Sequence, residues 1–358
     1  MTKVTTHWEN GQIHEVYTTD KNNKRTGVYK CYYTNGRLWR KSHYKDGQLN
    51  GQYESYYPDG QLYIKCAYKK DKLDGAYESR YTTGQLKEKY TYKDGKADGP
   101  FICYNPDGRV WYNLTFVDGK KEGPYEETSF LRNKPLVEKG VYKNDGKTGP
   151  FVRYYDNGQV ESKGSYKVRV VDSQHKYAVL DGAFVSYNED GSVKEEGTFR
   201  NGQENGVWRE YWENGKVKVR MTYKDGIPEG PCESYYANGQ LEEAKNFKEG
   251  LLDGKFESYW ENGQLKEKCT FKDEEMHGRY EQYDENGKLT DLAIFVNGKK
   301  YSWLEVEQES IQLKIRLEDV SHIKSDHLRE EYTKNAIKIF KAKYPGFPLK
   351  IKGHERGR

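Results

Sequence analysis

Residues 51–70 read GQYESYYPDGQLYIKCAYKK. Asp59-Gly60 is a tight-turn signal between two runs of alternating residues, the pattern of an antiparallel hairpin. A two-residue turn there would set Tyr57 opposite Leu62, Ser55 opposite Ile64, Tyr53 opposite Cys66 and Gly51 opposite Tyr68. Strand side chains alternate between faces, so those eight share one face. Gln52, Glu54, Tyr56, Tyr63, Lys65 and Ala67 share the other. One face is therefore aromatic and aliphatic, and the other is charged with a tyrosine column. Gly51 opposite Tyr68 offers bare backbone for the ring to cover.

The pattern extends in both directions. A glycine followed two residues later by an aromatic, or by Cys232 in one case, falls at Gly27, Gly51, Gly75, Gly99, Gly123, Gly149, Gly182, Gly206, Gly230, Gly254 and Gly278. The interval is 24 residues except for 26 and 33 in the middle of the chain. A second glycine comes nine residues after the first, as in Asn35-Gly36, Asn238-Gly239 and Asn262-Gly263. A third turn follows at Asp46-Gly47, Asp94-Gly95, Asp118-Gly119 and Asp225-Gly226. Asn-Gly and Asp-Gly accept the positive φ angles of tight turns. Two turns per repeat leave strands of about five to eight residues, a continuous meander.

The columns hold across repeats. The position two after the first glycine reads Tyr29, Tyr53, Tyr77, Phe101, Tyr125, Phe151, Phe184, Trp208, Cys232, Phe256 and Tyr280. The position four after it is often small, as at Cys31, Ser55, Ser79, Cys103, Ser186, Ser234 and Ser258. Cysteines in that column read as small packing residues.

The alternation YYxNGQLxxxxxYKDGxxxGxY, as from Tyr235 to Gly239 and at Leu241, resembles the MORN-repeat superfamily, in particular the bacterial variant of YwqK-type antitoxin proteins. The resemblance spans about residues 4 to 300. It implies an elongated, twisted antiparallel sheet of tandem hairpins with no catalytic role. The eukaryotic repeat opens its strand with a Gly-x-Gly pair, and this one has a single glycine. That departure argues against carrying over the lipid binding of some eukaryotic members.

The repeat breaks in identifiable places. Between Thr128 and Lys139 there is no Asn-Gly turn and Pro135 intrudes, so that hairpin is expected to be remodelled; the irregular zone is residues 124–182. Tyr166 to Gly182 carries extra residues, a longer hairpin with Val168, Val170, Tyr177 and Val179 on its arms. At the start, Val4 and Trp8 form a degenerate unit before Asn10-Gly11. Residues 1–300 are thus the repeat domain, and 301–358 a C-terminal strand, helix cap and basic tail. In that segment Ile311, Leu313, Ile315 and Leu317 alternate like a strand. Ser325 or Asp326 caps a helix through Lys343, ended by Pro345. Leu328, Tyr332, Ala336, Ile337, Ile339, Phe340 and Tyr344 form its apolar stripe, suited to covering the last repeat.

Composition fits thin β-structure. Only 34% of the 358 residues are hydrophobic and 32% charged, yet there are 33 Tyr, 12 Phe and 7 Trp, too many aromatics for a disordered chain. The net charge of +4 points to no strong nucleic-acid surface. Five spaced cysteines without a CxxC pair, and no apolar leader, read as a reduced cytoplasmic protein.

No HExxH, P-loop, GxSxG or dinucleotide fingerprint occurs, so the expectation is no catalytic, cofactor-binding or metal site. His327 and Glu331, four apart on a helix, are a chance-level ligand pair. The function expected is a non-enzymatic scaffold that binds a protein along a partly open aromatic groove, on the family resemblance a toxin. Tyr56, Tyr187, Tyr211, Tyr235 and Tyr259 are the candidate contacts. The alternatives are a membrane-surface scaffold and a C-terminal segment with a nucleic-acid, effector or enzymatic role. The tail offers nine Lys/Arg against four Asp/Glu from Ser325 to Arg358 for nucleic acid or anionic lipid. Monomer and end-to-end homodimer both remain open.

Overall fold

The computed structural model describes residues 1–131, 134–170, 176–318 and 326–349. The chain divides into two compact units, Met1–Gly191 and Ser192–Arg358. Among the described residues, strands run from Thr2–His7 to Gly182–Tyr187 in the first unit. In the second they run from Val193–Arg200 to Lys299–Ser302, followed by helices α1 (Trp303–Glu318) and α2 (Asp326–Lys343). Within each unit successive strands pair antiparallel, hairpin after hairpin, as the repeat predicts.

The hairpin at residues 51–68 keeps most of the expected register. Gly51 pairs with Tyr68, Tyr53 with Cys66 and Ser55 with Ile64. The pairing of Tyr57 with Leu62 is not formed; Tyr56 takes Leu62 across a bulge. The reason is the turn. The Gly60 amide donates to the Tyr57 carbonyl at 2.8 Å and the Tyr57 amide to the Gln61 carbonyl at 2.8 Å, which makes Pro58-Asp59-Gly60 a three-residue loop. Gly60 alone is left-handed, at φ +95°, as a type I turn closed by a left-handed glycine requires. The turns that join one repeat to the next are the two-residue kind: at Asp46-Gly47 both residues have positive φ, 57° and 85°. One dipeptide type thus serves two geometries.

Gly51 also has a different role from the one expected. It sits at φ +121°, beside a register shift between Ser42 and Tyr44. A Cβ there would meet the His43 Cβ at 3.0 Å, so the bulge needs the glycine and the Tyr68 ring does not. The ring-over-glycine contact occurs elsewhere. At Gly197 a Cβ would lie 1.9 Å from the Trp208 ring.

The ring columns form the core. Tyr29 packs on Tyr44 at 5.8 Å between centroids, Tyr53 on Tyr68 at 5.6 Å, Phe256 on Phe271 at 5.6 Å and Tyr280 on Phe295 at 5.4 Å. Small residues lie buried among them, including Cys31, Ser55, Cys103 and Ser258. All five cysteines are buried and unbridged, and burial pushes the thiols of Cys66 and Cys269 up to about 11 and about 12. Along this column Tyr29, Phe101, Tyr125, Phe151 and Tyr280 are buried, while Tyr53, Tyr77, Phe184, Trp208 and Phe256 are half-buried.

The irregular zone adds a buried charge cluster to its packed rings. Lys120–Leu131 pairs with Lys134–Lys143, taking Pro135 opposite Phe130; its turn lies outside the described residues. The buried Glu138 carboxylate accepts from the Tyr125 hydroxyl at 2.6 Å, Lys147 Nζ at 2.7 Å, Arg153 Nε at 2.9 Å and the Tyr166 hydroxyl at 3.0 Å. The extra residues do form a hairpin. Tyr166 pairs with Leu180, Val168 with Ala178 and Val170 with Lys176, and the tip lies outside the described residues.

The C-terminal region departs from expectation. Ile311 to Leu317 is not a strand but part of α1. Alternation of apolar residues over seven positions fits both periods, and burial follows the helical one. Val306, Ser310 and Leu317 are buried while Ile311 faces solvent. The helix begins at a capping box. The Ser302 amide donates to Glu305 Oε2 at 2.9 Å and the Glu305 amide to Ser302 Oγ at 3.3 Å. Helix α2 matches its expected span; Ser325 and the basic tail from 350 lie outside the described residues. Its Phe340 and Tyr344 join Val306 over Ile294 of the last long strand. Leu328, Tyr332 and Ile339, expected on the same buried stripe, are exposed.

Two stability predictions follow from these contacts. Gly197→Ala should cost about 1–3 kcal/mol by overpacking against Trp208, read from urea unfolding; an unchanged midpoint would show that the ring yields freely. For Glu138, burial raises its pKa, but Lys147, Tyr125 and Arg153 outweigh this and hold it at about 2. A carboxyl lowered on folding stabilises above its unfolded value and loses that contribution as pH falls toward the folded one. Glu138→Gln, which takes the carboxylate from Arg153 while Lys147 keeps Glu127 at 2.8 Å, should therefore cost about 1.5–3 kcal/mol at neutral pH. The gap from wild type should shrink as pH falls from about 4.5 toward about 2. A gap that stays constant over that range would refute the ion network.

Candidate interaction surface

The face opposite the packed rings is built from two kinds of row. The first is an alternating charge ladder across paired strands. In the first unit Glu54 lies between Lys41 and Lys65, and Glu78 between Lys65 and Lys89. In the second unit Arg220 pairs with Glu233, and Lys268 lies between Glu257 and Glu281. The ion pairs are loose and half-exposed, 3.7 Å for Lys65–Glu54 and 3.5 Å for Lys268–Glu257. Such pairs contribute about 0–1 kcal/mol each, so the ladder sets surface pattern more than stability.

The second row is the tyrosine column. The Tyr56 hydroxyl donates to Glu54 at 2.9 Å, Tyr235 to Glu233 at 2.7 Å and Tyr259 to Glu257 at 2.8 Å. Donor and acceptor are two residues apart on one strand and so share a face. Tyr211 reaches across to Glu196 at 2.8 Å, and the Tyr187 ring has Lys163 Nζ 5.6 Å from its centroid. All five candidate residues are half-buried. Burial, with the Glu54 carboxylate second, pushes the Tyr56 hydroxyl up to about 12, and the same causes raise Tyr235 and Tyr259. Tyr211, Tyr235 and Tyr259 stand in successive hairpins of the second unit. Tyr56 and Tyr187 lie in the first, in separate repeats. Sequence reasoning missed Tyr283, whose hydroxyl donates to Glu281 at 2.8 Å. The Glu-x-Tyr spacing would have found it.

What positions this column is the residue that follows each tyrosine. In the first unit the hydroxyls of Tyr33, Tyr57 and Tyr81 donate to the backbone carbonyls of Tyr56, Arg80 and Tyr104 at 2.7, 2.7 and 2.8 Å. Tyr155 does the same for Tyr187 at 2.6 Å. In the second unit Trp212 Nε1 donates to Tyr235 at 2.9 Å, the Tyr236 hydroxyl to Tyr259 at 2.8 Å and Trp260 Nε1 to Tyr283 at 3.2 Å. The accepting carbonyls of Tyr56, Arg80, Tyr104, Tyr235, Tyr259 and Tyr283 lie at hairpin bulges, where the strand register shifts. A candidate such as Tyr235 is thus fixed twice, by its hydroxyl on Glu233 and by its carbonyl on Trp212.

The turn asparagines add a parallel rung. The amide groups of Asn214, Asn238 and Asn262 donate to the carbonyls of Ala237, Glu261 and Glu285 in the next turn, at 2.7, 3.0 and 2.9 Å. Their side-chain oxygens accept from the amides of Lys216, Gln240 and Gln264. Among the described residues one group gathers metal-ligating atoms, His14, Glu15 and Cys31. The Tyr29 hydroxyl already donates to Glu15, Arg25 stands 3.9 Å from it, and Arg40 is paired opposite Cys31. Two guanidinium groups beside these ligands oppose a cation there. His327 and Glu331 remain an isolated pair on α2.

Removing one rung tests the ladder. Tyr236→Phe should lower stability by about 0.5–1.5 kcal/mol with no change in fold, read from urea unfolding. A variant as stable as wild type would show that water serves the Tyr259 carbonyl equally well.

Comparison with known proteins bears on this repeat. Chains of solved structures are similar over most of this one. A crystal structure of TcdB2-TccC3-Cdc42 shares 10% identity, covering 82% of this chain and 19% of that one, with a TM-score of 0.14. A Photorhabdus luminescens Tc holotoxin pore shares 11%, covering 84% and 19%, with a TM-score of 0.17. The chain thus spans about a fifth of those proteins. No curated protein matches. The family described as MORN repeat variant matches residues 25–46, 49–70, 73–94, 147–167, 180–201, 204–225, 228–249, 252–273 and 276–297. These segments fall on the regular hairpins, omit the remodelled one and make up more than half of the chain; it belongs to the MORN repeat variant family.

Proposed function

We propose that this chain is a non-enzymatic scaffold in the cytoplasm that binds a protein along the tyrosine column and its charge ladder. The observation that carries the reading is the double fixing of Tyr235 and Tyr259, hydroxyl on a carboxylate and carbonyl on a neighbouring ring. Tyrosine dominates binding hot spots, and a side chain held before contact loses less conformational freedom when a partner arrives. The flanking Lys and Glu alternate, which favours a partner of matching mixed charge over an anionic membrane. The resemblance to antitoxin proteins supports a toxic polypeptide as that partner, held along several repeats at once.

Affinity capture from the source cell, followed by titration of the purified partner, tests this. Wild type should retain one stoichiometric protein. Replacing Tyr211, Tyr235 and Tyr259 by alanine should each weaken binding by about 2 kcal/mol if they are hot spots, with circular dichroism checking that the fold survives the loss of a half-buried ring. Recovery of anionic lipid or nucleic acid alone, or full binding by the triple variant, would overturn the proposal.

A further inference from the structure

Helix α2 has two apolar faces, and the repeat domain uses one. Phe340 and Tyr344 are buried over the last hairpin at 6% and 2% exposure. On a separate face, Leu328, Tyr332, Asn335, Ile339 and Ala342 follow one another at steps of four, three, four and three, and all five are exposed. Exposure reaches 55% at Leu328, 49% at Tyr332 and 70% at Ile339. Alternating steps of three and four are the spacing of a coiled-coil seam, with one polar residue, Asn335, in its middle. Leu328, Tyr332 and Ile339 lie along one helix face, and it is an apolar row of this kind, not a single exposed side chain, that marks an interaction surface.

The charges beside the seam select the occupant. Glu331 immediately precedes Tyr332, and Lys338 immediately precedes Ile339. In an antiparallel pair of identical helices these flanking positions face each other, so Glu331 of one copy meets Lys338 of the other, twice by symmetry. In that arrangement Leu328 lies against the second copy's Ile339, and Tyr332 against its Asn335. In a parallel pair Glu331 would instead face Ala336 and Lys338 would face Lys343, which is already held by Glu309, so neither charge gains a partner.

We infer that α2 pairs antiparallel with α2 of a second copy of this chain, forming a two-fold dimer through its Leu328–Ala342 seam. The seam contains none of the residues of the tyrosine column, so its test is separate from that of the binding role proposed above.

The test is the mass in solution of the full chain, by light scattering at tens of micromolar, with sedimentation equilibrium for the dissociation constant. Wild type should run at twice 42.0 kDa. Ile339→Glu should weaken self-association by about tenfold or more and leave the melting temperature unchanged, since Ile339 is 70% exposed and joins none of the buried clusters among the described residues. Glu331→Lys and Lys338→Glu should each weaken it, and the two together should restore it, because the pair is then reversed across both copies. A wild type of single mass, an Ile339→Glu variant that remains dimeric, or a charge swap that restores nothing would each overturn the proposal.

Discussion

The structure depends on a hydrogen bond from an aromatic side chain at one hairpin turn to a backbone carbonyl of the next repeat. The three-residue loops, such as Pro58-Asp59-Gly60, end in a bulge that shifts the ladder and takes a carbonyl out of it. A half-buried carbonyl without a donor is costly. The Tyr or Trp one residue beyond the column supplies the donor from 23 residues away, as Tyr33 does for Tyr56 and Trp212 for Tyr235. The reach of that side chain matches the spatial step between hairpins and does not set the number of residues between them: Tyr155 makes the same bond to Tyr187 from 32 residues away. Asn105 occupies the same position just before the remodelled hairpin, and its buried side-chain nitrogen has no partner. The ladder stops where the repeat does.

A layer this thin has little aliphatic core, and its stability is distributed. Rings pack on rings one strand away, small residues fill the gaps, and each hairpin leans on its neighbours. Such an array has near-additive, nearest-neighbour energetics. The Glu138 cluster is the exception. A carboxylate with four donors from four strand positions concentrates a large interaction at one site. It stands where the regular turn chemistry is lost, and it specifies register there in place of the ring ladder. At the end of the second unit, Val306, Phe340 and Tyr344 close over Ile294 so that the last hairpin is not left bare.

The repeat, the alternation of faces and the register of Gly51 to Ser55 were legible in the sequence because period two and period 24 are both strong signals. What was misread has physical causes. Asn-Gly was taken as a positive-φ pair, but only the glycine is left-handed in the three-residue loops; the asparagine is there for its amide, which reaches the following turn. The Tyr-Tyr dipeptide was read as one residue per face, and its second member proved to be the inter-repeat donor. Gly51 was assigned to a ring contact when a bulge demands it, and Gly197 makes the ring contact instead. In the C-terminal region a seven-residue alternation was too short to separate strand from helix, although Ser302-x-x-Glu305 carried a capping signal that settles it. Of the candidate site, the tyrosine column was visible in the sequence. Its fixation was not, because it rests on contacts one repeat away.

The account turns on the claim that each hairpin is held by the ring of the one before it. Hydrogen exchange on Tyr57→Phe, compared with wild type, tests this most directly, since only a hydroxyl is removed. The prediction is faster exchange confined to the hairpin whose Arg80 carbonyl loses its donor, residues 73–93, with the other repeats unchanged. Exchange unaltered in that hairpin, or raised uniformly along the chain, would contradict it.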